Sequence, residues 1–359
     1  MLKVGIFAPY SRNETTLAAT QLADWLVRVG IDVEYLACGG RPESGIHPEW
    51  DNRVVRHVGP ASTYRWAYGA THLCWFVPDA KIFRQSKVVA TASQRQFTRQ
   101  LYFPAWVHWD AHCTYFMDLV DRVISLSRDM HLWLEDKEPV NFLQGERTWG
   151  NLISPDLLLV PRHGFTNSDE IKLLAVLPRT VVKDVGPAIL DVFDFLLATH
   201  ENLTLTILLE SSWPRRYRRR VRSMAATYGE RLASVTSPAY YDYGRHIRAH
   251  DWVYVCNTRH RYGSLLSSLA VSGVPLVAHD VPPVGGHVQD GINGRLIPCE
   301  LHDGGYPVAS VAVEDIGEVL NSVLAEDSLY LKALQVQSRV VHERRQKAFE
   351  AMILKEFVA

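Results

Sequence analysis

The chain has 359 residues, of which 47% are apolar and 21% charged, with a net charge of −1. That length and apolar content suffice for two ordinary α/β domains and exclude a disordered chain. The near-zero charge leaves no overall field to draw in a polyanion, so any nucleic-acid contact needs a local patch.

No apolar run reaches the roughly 18 residues of a membrane span. Met1–Phe7 reads as a strand followed by Pro9, not as a signal peptide. Five cysteines (Cys38, Cys74, Cys113, Cys256, Cys299) are widely spread with no CxxC, as expected of reduced thiols in a cytoplasmic protein. Ten Trp and fifteen Tyr are many for the length and predict exposed aromatic surface.

In chain order, Leu2–Ala8 is apolar on both faces, as in a parallel sheet. Thr15–Val29 follows as a helix with Leu22, Trp25, Leu26 and Val29 on one stripe, ended by Gly30. Ile31–Leu36 completes a βαβ unit whose loop is Pro9–Glu14. Short strands are predicted at Arg53–Val58, His72–Val77, Lys87–Ala92 and Arg122–Leu126, then a helix over Ser127–Glu135. Gly145, Gly150, Pro155, Pro161 and Gly164 mark a boundary between residues 140 and 165.

A second α/β series then begins. Strands are predicted at Lys172–Leu177, Leu203–Leu209, Trp252–Cys256 and Pro275–His279, and helices at Pro187–Thr199, Pro214–Tyr228, Ser264–Val271 and Val313–Ala325. Between His279 and Pro298 come a Pro/Gly loop, a short polar helix, an Asp290-Gly291-Ile292-Asn293-Gly294 turn and a last short strand. Ser328–Phe357 reads as a charged helix. The expected organisation is 1–150, 151–340 and a terminal helix, 341–359, packing back on the first domain.

Gly273-Val274-Pro275-Leu276-Val277-Ala278 and Asp290-Gly291-Ile292-Asn293-Gly294 resemble the corresponding strand and turn of the two-domain (GT-B) glycosyltransferases that use nucleotide-sugar donors. Val160–Gly164 is similar to that family's interdomain linker, and Leu174–Arg179 with Lys183 to its cation-bearing strand end. The resemblance implies an α/β protein of two Rossmann-like domains facing across a cleft. The first would bind the acceptor and the second the nucleotide-sugar donor. It also implies a sugar transferred from a nucleoside diphosphate, UDP-linked by expectation, to an acceptor hydroxyl, with the nucleotide-sugar as co-substrate and no cofactor.

In such a family Arg179 and Lys183 grip the donor diphosphate, and Tyr262-Gly263-Ser264-Leu265 offers backbone amides at a helix start. The family's two Glu, eight residues apart, fall here on His260 and Ser268, so a sugar-hydroxyl contact and a weaker ribose contact take their places. Pro282-Pro283 and Gly286 replace its Gly-Gly and following Glu, and Tyr10–Glu14 replaces its first Gly-rich loop.

The catalytic base an inverting transfer needs is sought in Trp106-Val107-His108-Trp109-Asp110-Ala111-His112, with Asp110 and His108 foremost, and at Asp79. Tyr10, Arg12, Asn13, Trp106 and Trp109 are acceptor-binding candidates. His108 and His112 have the spacing of a metal pair, but no third ligand is in view and no metal is expected.

Arg215, Arg216, Arg218, Arg219, Arg220 and Arg222 crowd one predicted helix, as a solvated face or as an acidic-partner patch. Together with the aromatic first half, they suit a phage-type branch that glycosylates a modified pyrimidine in double-stranded DNA, with the host cytoplasm as its location. That branch is the alternative to the leading expectation, a saccharide or small-molecule acceptor. The missing Glu pair equally suits an inactive binding protein, and an epimerase or phosphorylase shares the plan.

Overall fold

The computed structural model describes residues 2–10, 14–38, 50–56, 69–76, 90, 99–104, 117–126, 131, 134, 142, 170–177, 185, 188–209, 213–236, 246–256, 269, 272–281, 284, 287–302, 308–310, 312–326 and 328–358. The chain forms two compact units. One includes Met1–Ser154 and Arg344–Ala359, the other Pro155–Tyr262 and Ser268–Glu343.

In the first unit, β1 (Lys3–Pro9), α1 (Glu14–Arg28), β2 (Asp32–Cys38), β3 (Val55–Arg56), β4 (His72–Trp75), β5 (Arg99–Tyr102) and β6 (Arg122–Val123) build a parallel sheet. Its order is β3-β2-β1-β4-β5-β6. Helix α1 ends where Gly30 turns left-handed (φ 83°). Gly30 N–H donates to Val27 O and Ile31 N–H to Leu26 O, so the last carbonyls stay paired.

The strand predicted at Lys87–Ala92 is not the sheet's fifth strand. Ala90 is helical, and the place beside β4 belongs to Arg99-Gln100-Leu101-Tyr102. The apolar Val88-Val89-Ala90 run drew the prediction, whereas two polar residues open the real strand.

Polar pins run through this unit. Gln100 is buried; its Oε1 accepts from Trp75 Nε1 (3.0 Å) and its Nε2 donates to Ala90 O (2.9 Å). Trp50 Nε1 donates to Asp24 Oδ1 (2.6 Å), and buried Ser125 Oγ meets His131 Nδ1 at 3.1 Å.

The second unit repeats the plan with β7 (Ile171–Leu177), α2 (Ala188–Thr199), β8 (Leu203–Leu209), α3 (Arg215–Tyr228), β9 (Leu232–Thr236), β10 (Trp252–Val255), β11 (Leu276–His279) and β12 (Gly294–Ile297). All its strand pairs are parallel, in the order β12-β11-β10-β7-β8-β9. Counted from each unit's own first strand, both sheets read 3-2-1-4-5-6, the doubly wound Rossmann order.

An antiparallel pair, β13 (Glu300–His302) with β14 (Val308–Ser310), precedes α4 (Val313–Leu324). The core is apolar: Leu190, Phe193, Leu196 and Leu197 of α2 and Ile316, Leu320 and Val323 of α4 meet alternate residues of β7, β8 and β10.

Helix α5 (Ser328–Val358) serves both units. Leu331 and Leu334 join the second core. Phe349, Ile353 and Phe357, spaced four apart on one face, join the first. There Glu356 accepts from Arg99 (2.5 Å) and lies 3.5 Å from Arg122 Nε.

Among the described residues the Trp and Tyr rings do not form the predicted aromatic surface, and Phe195 is the exposed aromatic. Trp25, Trp50, Trp75, Trp213 and Trp252 are all buried, and no described Tyr is exposed. The Trp rings are core filler, each burying about 150–250 Å².

Candidate functional site

Each sheet reverses its winding once, between β1 and β4 in the first unit and between β7 and β10 in the second. In open α/β sheets the crevice beyond the carboxyl ends of strands at such a reversal is where ligands bind. Topology therefore selects four segments: those after Pro9, Trp75, Leu177 and Val255.

The sequence candidates cluster on these segments. Tyr10, Arg12 and Asn13 directly follow β1, and Asp79 comes four residues after β4. Arg179 and Lys183 follow β7, while His260, Tyr262, Gly263, Ser264, Leu265 and Ser268 follow β10. Trp106, His108, Trp109 and Asp110 come after the neighbouring β5. Of all these, the described residues include Tyr10 alone; the rest lie outside them.

Tyr10 is 2% exposed. Its hydroxyl donates to Asp51 Oδ1 at 2.7 Å, and its ring meets Tyr35 edge-on at 5.4 Å. Tyr35 OH in turn donates to Pro9 O at 2.7 Å, as does Thr16 Oγ1 at 3.0 Å. The phenol thus anchors the carboxyl end of β1. Helix α1 starts at Glu14.

Beneath the carboxyl edge of the second sheet lies a pair the sequence did not announce. His279, the last residue of β11, is fully buried, and its Nε2 is 2.9 Å from Tyr254 OH on β10. Its Nδ1 has no hydrogen-bond partner among the described residues. Burial pushes the imidazole pKa down to about 3, so it is neutral at ordinary pH and shares a hydrogen bond with the phenol. Burial also raises Tyr254, with Cys256 and Cys299 adding to the shift, and lifts the Cys299 thiol to about 11. Cys38, Cys74, Cys256 and Cys299 are free thiols. Among the described residues no three His, Cys, Asp or Glu group as a metal site.

The Asp290–Gly294 turn has a structural explanation. Gly291 is left-handed (φ 71°), and its N–H donates to Gly294 O at 2.9 Å. A Cβ at Gly294 would stand 2.2 Å from Leu276 O, so only glycine lets β12 come alongside β11. Asp290 Oδ1 accepts from Leu296 N–H (2.8 Å). Asn293 is buried; its Oδ1 accepts from Gln289 N–H (2.6 Å), and its Nδ2 donates to His287 O (2.8 Å) and reaches His342 Nε2 of α5 (3.1 Å). Asp290 is exposed but accepts across the turn, and buried Asn293 holds the turn and docks α5. The motif therefore marks the fold and not a ligand contact.

No protein-family model matches the chain, and no curated protein matches it. Solved structures do. A glycosyltransferase from Rickettsia africae ESF-5 superposes with a TM-score of 0.71 at 11% identity, over 99% of this chain and 97% of that one. Sucrose-phosphate synthase from Thermosynechococcus elongatus gives 0.68 at 14% identity, over 99% and 98%. HepE from Anabaena, in complex with UDP-glucose, gives 0.68 at 12% identity, over 99% and 100%. With two Rossmann-ordered α/β units in one chain and these superpositions over nearly its whole length, the protein has the GT-B glycosyltransferase fold.

Proposed function

We propose that the chain is a nucleotide-sugar-dependent glycosyltransferase with a UDP-linked donor. One observation carries this reading: Arg179, Lys183 and the 257–268 segment follow the two strands that flank the winding reversal of the second sheet, and HepE, of the same fold, is seen in complex with UDP-glucose. Breaking the bond from an anomeric carbon to a diphosphate leaves growing negative charge on the leaving group. Two cations and the Tyr262–Leu265 amides aimed at that charge lower the barrier. Ser268 serves the ribose and His260 the sugar hydroxyls. In the first unit Arg12, Asn13, Trp106 and Trp109 contact the acceptor beside Tyr10, and Asp110, His108 or Asp79 takes its proton. The free thiols suit a reducing, cytoplasmic setting.

The test is thermal shift with UDP, UDP-glucose and other nucleoside diphosphates. A ligand at a hundredfold its Kd adds about 2.7 kcal/mol of stability. UDP is expected to stabilise the wild type, and Arg179→Ala with Lys183→Ala to abolish the shift. An unchanged shift in the double variant overturns the donor-site assignment.

A second reading concerns the acceptor. A modified pyrimidine in duplex DNA, flipped out for reaction, is favoured over a free saccharide by the arginine face of α3.

A further inference from the structure

Helix α3 presents an uncompensated cationic face. Arg215, Arg216, Arg219 and Arg222 are exposed, while Tyr217, Val221 and Met224 on the opposite side are buried in the core. Arg220 pairs with Asp191 of α2. Arg216 Nη2 donates to Tyr217 OH at 3.1 Å, its guanidinium 4.8 Å from that ring's centroid. Arg215, Arg218, Arg219 and Arg222 have no acidic partner among the described residues. No acid occurs in the sequence between Glu210 and Glu230.

The arrangement works against the helix that carries it. Like charges three and four residues apart repel. Cations in the first turn oppose the positive end of the helix dipole, and neither an acidic residue nor a capping side chain relieves them. An external anion removes both costs.

The residue types narrow the anion. No lysine occurs between Lys183 and Lys332, so every charge on this face is a guanidinium, whose planar fork matches phosphate oxygens two at a time. The remaining exposed positions of α3 are Ser223, Ala226 and Thr227. With no large apolar side chain, the face has nothing to insert into a lipid surface. With no exposed aromatic, it has no platform for unstacked bases. What fits is a regular rail of phosphates with its bases already paired. From Arg215 to Arg222 the face runs about 10 Å along the helix axis, and a duplex carries one charge per about 1.7 Å of its own axis.

Because α3 follows β8, its arginine-bearing start lies at the carboxyl edge of the second sheet, the edge on which the segments after β7 and β10 also begin. We infer that the exposed arginine face of α3 docks the phosphate backbone of double-stranded nucleic acid. This rests on the second acceptor reading above and supplies its docking surface.

The experiment is fluorescence anisotropy of a labelled random-sequence DNA duplex, without donor, across about 50 to 200 mM salt. The probe is titrated with the wild type, with R215Q/R216Q/R219Q/R222Q and with the matching fourfold Lys variant. Each neutralised phosphate contributes about 0.9 to the slope of log K against log salt, so the fourfold Gln variant should lose about 3.6 units of slope and at least tenfold in affinity. The Lys variant should keep most of the slope while binding more weakly. Circular dichroism and the UDP thermal shift report on folding and on the donor site separately, so a failed duplex experiment with an intact UDP shift sinks this inference alone. Absence of wild-type binding, an unchanged slope in the Gln variant, tighter binding of single strands than of duplex, or arginine-dependent capture by phosphatidylserine vesicles in place of DNA each overturns it.

Discussion

The two units share one strand order and are held together differently. Strand lengths match: β1 and β2, like β7 and β8, have seven residues, and β4 and β5, like β10 and β11, have four. In the first unit directed polar contacts tie the elements, with Gln100 between Trp75 and Ala90, Trp50 on Asp24, and Glu356 on Arg99. In the second the aliphatic faces of α2 and α4 cover β7, β8 and β10, and a buried polar contact between strands is Tyr254 with His279. An apolar core tolerates changes of shape within its volume, whereas a polar pin fails when either partner is lost.

The contrast can be broken or sharpened by substitution. The largest effect is expected where the second unit does depend on one position: Gly294→Ala drives a Cβ into the Leu276 carbonyl, 2.2 Å away. It should cost about 3 kcal/mol or more in urea unfolding, or prevent folding. Next, Gln100→Leu takes the amide away from the buried Trp75 indole N–H and from the Ala90 carbonyl. About 2–4 kcal/mol is expected, against less than about 1.5 kcal/mol for a volume-conserving Leu196→Met in the second core. Equal costs would erase the distinction between the two units.

Glu356→Ala frees Arg99 and Arg122, and should cost about 1–2 kcal/mol, less at high salt. Near neutral pH the smallest effect is that of His279. His279 titrates near 3 when folded and near 6.5 when unfolded, so between those values the unfolded chain binds the extra proton. Stability therefore falls as pH drops below about 6.5, by at most about 1.4 kcal/mol per pH unit from this group. His72 and His250, also lowered by burial, act in the same direction. His279→Gln, which keeps an acceptor for Tyr254, should flatten that acid limb; an unchanged limb would mean that the imidazole is not buried neutral.

Much of the fold was legible because parallel strands and the helices that cover them are written in local apolar pattern. Leu203–Leu209 is a strand over the very residues predicted, and α1, α2, α3 and α4 differ from expectation by a residue or so at their ends. Strand β9 escaped notice because Ala233, Ser234 and Thr236 are exposed at the sheet edge and carry no apolar signal. Strand β5 escaped because its buried Gln100 is polar, and a polar residue is at home in a core only when distant partners, here Trp75 and Ala90, satisfy it.

The Asp290–Gly294 motif was conspicuous for a related reason. Glycines at a left-handed residue and at a close backbone approach are local demands, and they surface in sequence whether or not a ligand is near. His279–Tyr254 and Asn293–His342, spanning 25 and 49 residues, had no local signature at all. The site candidates were found on segments after strands; their chemistry rested on resemblance, because one sequence does not reveal which side chains converge.

Helix α5 has a consequence for how the protein is made. The first unit supplies its opening strands early in synthesis, yet Phe349, Ile353 and Phe357 are part of its core. While the ribosome is still translating the second unit, the earlier one has an open apolar flank where those rings belong. The amino-terminal unit, usually the first to finish folding, can complete its core only once residues 349–357 have been made, after those of the second unit.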